Sequence, residues 1–159
     1  MRSVYFSFHY EDVWKANVVR NSGVVFGSKS AGFADRSLWE EAKVKSRARL
    51  EKLIEDGLDG TSVTAVLIGR ETAQRAWVKH EIKRSLARGN ALVGIHIHKI
   101  PDRNGRTTRR GAIPSLLKRQ SAPIADWSGA HDLGQLVERA WQDRNDPSFL
   151  QQFLKWLSS

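Results

Sequence analysis

Between Gly60 and Ile100 the chain reads GTSVTAVLIG, then RETAQRAWVKHEIKRSLARGN, then ALVGIHIHKI. Two short β-branched apolar runs enclose one longer segment with mixed polarity. A run that is apolar at almost every position has no face to offer water. It suits a strand covered on both sides, as strands of a parallel sheet are. Parallel neighbours cannot be joined by a tight turn; they need a crossover, and the segment between the runs has the length and period of a helix. This strand–helix–strand unit predicts an α/β domain with a central, mainly parallel sheet, flanking helices and right-handed crossovers.

The rest of the chain extends that pattern. SVYFSF (Ser3–Phe8) has the composition of a strand, and EDVWKANVVR after it is helical, with apolar Val13, Trp14, Ala16 and Val18. NSGVVFGSKSAGFADRSLWEE lacks period and is rich in glycine and serine, so it reads as a long loop carrying a short strand at Val24–Phe26. Such loops inside compact domains tend to be functional. Helical spacing runs from Leu38 to about Leu58, and Thr72 and Gly89-Asn90 mark the start and stop of the next helix. Beyond the polar loop PDRNGRTTRRGAIP, helices are expected near 114–119, 131–143 and 146–157.

With 159 residues the chain fits one domain, 1–159, whose part from about residue 113 is a helical C-terminal extension. It is too short for two mononucleotide-binding halves and carries neither G-x-G-x-x-G nor a P-loop. The flavodoxin-like class of three-layer α/β domains fits better. In such sheets sites form at the carboxyl ends of the strands, here Phe8-His9-Tyr10, Gly69-Arg70-Glu71 and His98-Lys99.

Composition removes several chemistries. With no cysteine there is no disulfide, thiolate metal site or thiol nucleophile, which suits a reducing cytoplasm. No apolar stretch reaches the roughly 20 residues of a membrane helix, and the first residues lack the pattern of a signal peptide. A cytoplasmic protein with no membrane partner is the expectation. The formal charge of +9 favours polyanionic ligands. RNGRTTRRG concentrates that charge at Arg103, Arg106, Arg109 and Arg110. It has no stacking aromatic and no recognition motif beside it, so nucleic acid is not expected as a partner.

Among polar residues, Glu81 stands four after Trp77 and next to the apolar stripe Val78, Ile82, Ser85 and Leu86 of its helix. At about 100° per residue it falls at the border of that stripe, where a carboxylate can look into a cleft. On spacing alone, a solvated glutamate paired with Ser85 or Arg84 is the expectation, because most helix glutamates are solvated. His96 and His98 share one strand face and could hold a metal, but no third ligand is evident, and structural histidines are the expectation. No G-x-S-x-G elbow is present. Trp14, Trp77, Trp141 and Trp156 sit at core spacings, whereas Phe8, Tyr10, Phe33 and Trp39 lie where a flat ligand could stack or where packing could use them.

Three stretches together carry a resemblance. VYFSFHYEDVWKANVVRNSG resembles the opening strand and first loop of a TIR domain. GTSVTAVLIGRETAQRAWVKHEI resembles the later TIR strand and helix, with its tryptophan and a glutamate four residues on. GFADRSLWEEAK resembles the bacterial TIR-like family that includes the TIR-like component of Thoeris anti-phage systems. The likeness covers roughly residues 2–100. It implies a flavodoxin-like TIR fold and cleavage of NAD⁺ between nicotinamide and ribose. Closure of the product into a cyclic ADP-ribose isomer, a diffusible signal to a separate effector, would follow. It implies Glu81 as the catalytic residue, and Phe8, His9, Tyr10, Asp35, Ser37, Trp39 and Trp77 as the substrate pocket. No metal and no cofactor beyond the substrate NAD⁺ is implied, and a homo-oligomer is allowed. A non-catalytic interaction module of the same fold is the alternative, and a basic nucleotide or nucleic-acid binder a third reading.

Overall fold

The computed structural model describes residues 2–22, 28–29 and 46–158. Among the described residues the parallel sheet has five strands, in the order β2-β1-β3-β4-β5. These are β1 (Val4–Ser7), β2 (Ser28–Lys29), β3 (Val63–Ile68), β4 (Ala91–His96) and β5 (Ile124–Asp126). Every described pairing is parallel, with Val4 opposite Val63, Val63 opposite Ala91 and His96 opposite Asp126. This is the flavodoxin-like order, and its direction reverses between β1 and β3. The described α-helices are α1 (Val13–Arg20), α2 (Arg47–Leu58), α3 (Ala76–Ala87), α4 (Ser115–Arg119), α5 (Ala130–Asn145) and α6 (Pro147–Leu157).

β3 and β4 are buried at every position, which is why their sequences show no alternation. Their two faces nonetheless join different clusters. Val63, Ala65, Leu67, Ala91, Val93 and Ile95 pack with Ala16 and Val19 of α1 and Leu133, Val137 and Ala140 of α5. Val66, Ile68 and Leu92 pack with Val78 and Ile82 of α3 and Leu117 of α4. α3 and α4 thus pack on one face of β3 and β4 and α1 and α5 on the other, and α2 is tied to α3 through Glu55, which pairs with Arg84 and Arg88. Gly94 makes the second face close: a Cβ there would lie 2.6 Å from Ile124 Cδ1 and 3.0 Å from Ile68 Cδ1.

Several sequence expectations shift. The helix expected from Leu38 begins at Arg47, because Ser46 is extended and its hydroxyl accepts from Arg49 N at 3.1 Å, capping the helix there. The short strand expected at Val24–Phe26 lies outside the described residues, as does the segment from Leu38 to Lys45. Thr72 does not cap α3. It sits in a 3-10 turn, buried, where its hydroxyl accepts from Gly69 N at 2.8 Å and shapes the end of β3. α3 does stop where glycine was read as a stop: Gly89 has φ +81, and its N–H bonds Leu86 O.

The region beyond residue 113 is not a purely helical extension. It supplies β5 to the sheet, and α5 packs on β4 and β3. Three residues, Ile124–Asp126, are too few to show a period in sequence; pairing with β4 makes them a strand. Trp14 and Trp156, read as core, are 52% and 71% exposed. α1 buries Ala16 and Val19 instead, with Lys15 beside them. Trp141 is partly buried and carries the Arg2 guanidinium 3.2 Å above its ring centroid, and Arg2 also pairs with Glu138 at 3.1 Å.

Candidate functional site

Glu81 is not a solvated surface carboxylate. It lies in the second turn of α3 with 1% of its surface exposed, because α3 presses Val78, Glu81, Ile82 and Ser85 onto the sheet. Val78 and Ile82 cover β3 and β4, and Glu81 meets β1. In a strand, positions two apart share a face. Tyr5 and Ser7 therefore both point at α3. The Tyr5 hydroxyl donates to Glu81 Oε2, and Ser7 Oγ donates to Oε1 at 3.0 Å. Neither expected sequence partner binds the carboxylate. Ser85 Oγ donates to the Glu81 main-chain carbonyl at 2.8 Å, and Arg84 pairs with Glu55 of α2.

A second polar row anchors the same turn. Thr64 Oγ1 donates to Ser85 Oγ at 2.7 Å, and Asn90 Nδ2 reaches Thr64 Oγ1 at 3.2 Å and Thr61 Oγ1 at 3.0 Å. Buried hydroxyls and amides cost stability unless bonded, so this row fixes where α3 sits on the sheet.

Burial dominates the electrostatics of Glu81. It pushes the carboxyl up to about 8, with the Tyr5 and Ser7 hydrogen bonds pulling back the other way. At neutral pH the resting group is mostly the neutral acid. A carboxyl so displaced, with two donors aimed at it, makes Glu81 the candidate functional group of this site.

The carboxyl ends of β1 and β3 form a neighbouring cluster. The Asp12 carboxyl lies over Gly69, where a Cβ would come within 2.2 Å of Asp12 Oδ2. Burial raises Asp12 to about 6, against the nearby charges of Lys15 and Arg75. Gly111 abuts the Gly69 carbonyl, 2.0 Å from where its Cβ would stand, so the basic loop folds back onto the β3 end. His9 is 8% exposed; burial lowers it, Arg75 adds to that, and the Glu11 carboxylate 3.5 Å from Nε2 opposes it.

The other sequence-derived site residues fall as follows. Phe8 is buried in the core cluster, and Tyr10 packs partly buried against that cluster, its ring edge-on to His9 at 4.7 Å. Trp77 packs partly buried against the core, edge-on to His80 at 5.4 Å, with Arg47 of α2 5.6 Å over its ring. Asp35, Ser37 and Trp39 lie outside the described residues, as does Phe33. His96 and His98 do share a face, their rings edge-on at 5.8 Å. Neither His96 nitrogen has a partner among the described residues, and burial lowers its pKa. Among the described residues no group of three or more His, Cys, Asp or Glu side chains could hold a metal ion. Arg110 is tied to Asp126 at 2.8 Å, and Asp102 accepts from Asn104 N and Arg106 N, so part of the basic loop is an ordered turn. A groove of about 400 Å³ between β5 and α5, lined by Trp127, Asp132, Gln135 and Arg139, shares no residue with the Glu81 cluster. No described helix is long and apolar enough to cross a membrane.

Sequence reasoning missed Tyr5, Ser7 and Asp12. A signal for the first two was present: two hydroxyls at alternate positions of an otherwise apolar strand need a buried partner.

Comparison with known proteins places these residues in context. The family described as "Thoeris protein ThsB, TIR-like domain" matches residues 5–102. The chain is 47% identical over 116 residues to the Bacillus cereus (strain MSX-D12) protein named "Putative cyclic ADP-D-ribose synthase ThsB1", an alignment covering 71% of this chain. The chain spans 60% of that relative's length.

Proposed function

This chain belongs to the ThsB TIR-like family of Thoeris proteins, and from that premise we propose that it cleaves NAD⁺ at the nicotinamide–ribose bond with Glu81 as the reacting carboxylate. The product is a cyclic ADP-ribose-type molecule, matching the name its relative bears. The observation that carries the reading is the Glu81 carboxyl itself: buried, displaced to about 8 and held by Tyr5 and Ser7.

The C1′–N bond breaks, and its electron pair leaves with the ring nitrogen, so nicotinamide departs neutral and needs no proton. C1′ is left as an oxocarbenium-like centre, which a carboxylate beside it stabilises. The substrate also prepares its own catalyst. NAD⁺ carries a positive charge on the nicotinamide ring, and a cation beside Glu81 favours the ionised form that burial suppresses. Closure follows when another nucleophile of the same molecule bonds to C1′ and, where it carries a proton, gives it up to the medium. Exclusion of water from that centre favours closure over hydrolysis. His9, Tyr10, Asp35, Ser37, Trp39 and Trp77 are proposed around the substrate, with Phe8 packing behind them. The setting proposed is the cytoplasm, with the product reaching a separate effector by diffusion.

The test is nicotinamide release from NAD⁺, followed by chromatography and mass, in wild type and Glu81→Gln. Turnover lost in the variant supports the reading, and the product mass separates cyclisation from hydrolysis. Full turnover in Glu81→Gln would refute it. NAD⁺ neither bound nor turned over by wild type, even in extract of phage-infected cells, would favour a non-catalytic interaction module.

A further inference from the structure

We propose that Tyr5 is a positioning residue for the reaction assigned to Glu81: its phenol, with the Ser7 hydroxyl, aims the carboxyl and supplies the hydrogen bonds that let it ionise inside the core. The inference rests on the reading of Glu81 as the reacting group.

The geometry carries it. Glu81 projects from α3 into a place water does not reach; Tyr5, Ser7 and Glu81 are 0%, 0% and 1% exposed. In the substrate-free protein an anion there depends on protein donors. Each carboxyl oxygen has one, Tyr5 on Oε2 and Ser7 on Oε1. The two donors come from alternate positions of one strand, held in register between β2 and β3, so their spacing is fixed by the sheet. The helix side is fixed as well, because the Glu81 carbonyl is bonded by Ser85 and Ser85 by Thr64. Strand and helix thus hold donors and carboxyl at a set separation.

Among the described residues of the substrate-free protein no cation contributes. The influences on Glu81 are burial, which raises its pKa, then Tyr5, then Ser7, both lowering it. A hydroxyl donating to a carboxylate forms a stronger bond than one donating to the neutral acid, so both donors favour ionisation. Tyr5 is the larger influence of the two. Apolar packing at that position needs only a phenyl ring; the phenol oxygen adds an influence on the carboxyl that packing alone does not require.

The experiment follows the Glu81 carboxyl directly, by carbon NMR of protein labelled at glutamate Cδ, with the signal assigned by its absence in Glu81→Gln. In Tyr5→Phe, which keeps the ring, the titration midpoint should rise by about one to two units. Ser7→Ala should move it the same way by less, and stands as the second variant if Tyr5→Phe folds poorly. In turnover, the acid limb of the kcat/KM profile, which reports the free enzyme, should rise by the same interval, with its high-pH plateau retained. That gives roughly a 10- to 100-fold loss at pH 7. A merely structural Tyr5 would lower activity without moving the limb. An unmoved midpoint in both variants, with turnover still lost in Glu81→Gln, would overturn this proposal alone. Full turnover in Glu81→Gln would remove the catalytic reading and the proposal together.

Discussion

Replacing Glu81 by glutamine should change how stability depends on pH, whether or not any substrate is present. The folded carboxyl sits at about 8 against an ordinary 4.5, chiefly because it is buried. Below 4.5 both folded and unfolded chains hold the proton, and the group is neutral to stability. Between 4.5 and 8 the unfolded chain releases its proton while the folded chain keeps it, so the fold loses stability as pH rises, by about 1.4 kcal/mol per unit. Above 8 the loss is complete, at about 5 kcal/mol. Glutamine has the same shape, accepts from one of the two hydroxyls and does not titrate. Urea unfolding of both proteins from pH 5 to pH 8 is the assay. Asp12, raised to about 6, tilts both curves in the same direction, so the difference between the proteins isolates Glu81. Wild type should fall relative to Glu81→Gln by about 4 kcal/mol over that interval. Curves that stay parallel would refute the idea that the resting protein holds Glu81 as a neutral acid.

Two substitutions test the frame that positions this group. Gly94→Ala places a methyl against Ile124, Ile68 and Leu117, and overpacking of this kind should cost about 1–3 kcal/mol in urea unfolding. Ser46→Ala removes the cap of α2 and should cost about 1 kcal/mol, read in the same way; no change would mean that Arg49 N finds another acceptor.

The residues that place Glu81 show how far a sequence can be read. Val63–Ile68 and Ala91–His96 declare themselves as covered strands because each run is apolar on both faces, a local property. The helix between them is just as local, and with it the placing of Glu81 at the border of an apolar stripe. The W-x-x-x-E spacing, taken with the opening strand and GFADRSLWEEAK, was enough to suggest the family. Ile124–Asp126 was not legible, since three residues become a strand only when His96 and its neighbours offer a partner. Thr72 illustrates the same limit: its type suits a helix cap, but the turn after β3 claims its hydroxyl.

Sequence alone thus determined the alternation of strands and helices, the absence of thiol chemistry and the basic charge, because each is a matter of residue type and spacing along the chain, and the resemblance of its motifs to a family singled out the Glu81 carboxylate. Tertiary structure decided the state of that carboxylate. Tyr5 and Ser7 stand more than seventy residues from Glu81 in the chain, and only the packing of α3 across β1 brings them together. Burial there removes the water that would ionise the group, leaving two hydroxyls to oppose the cost.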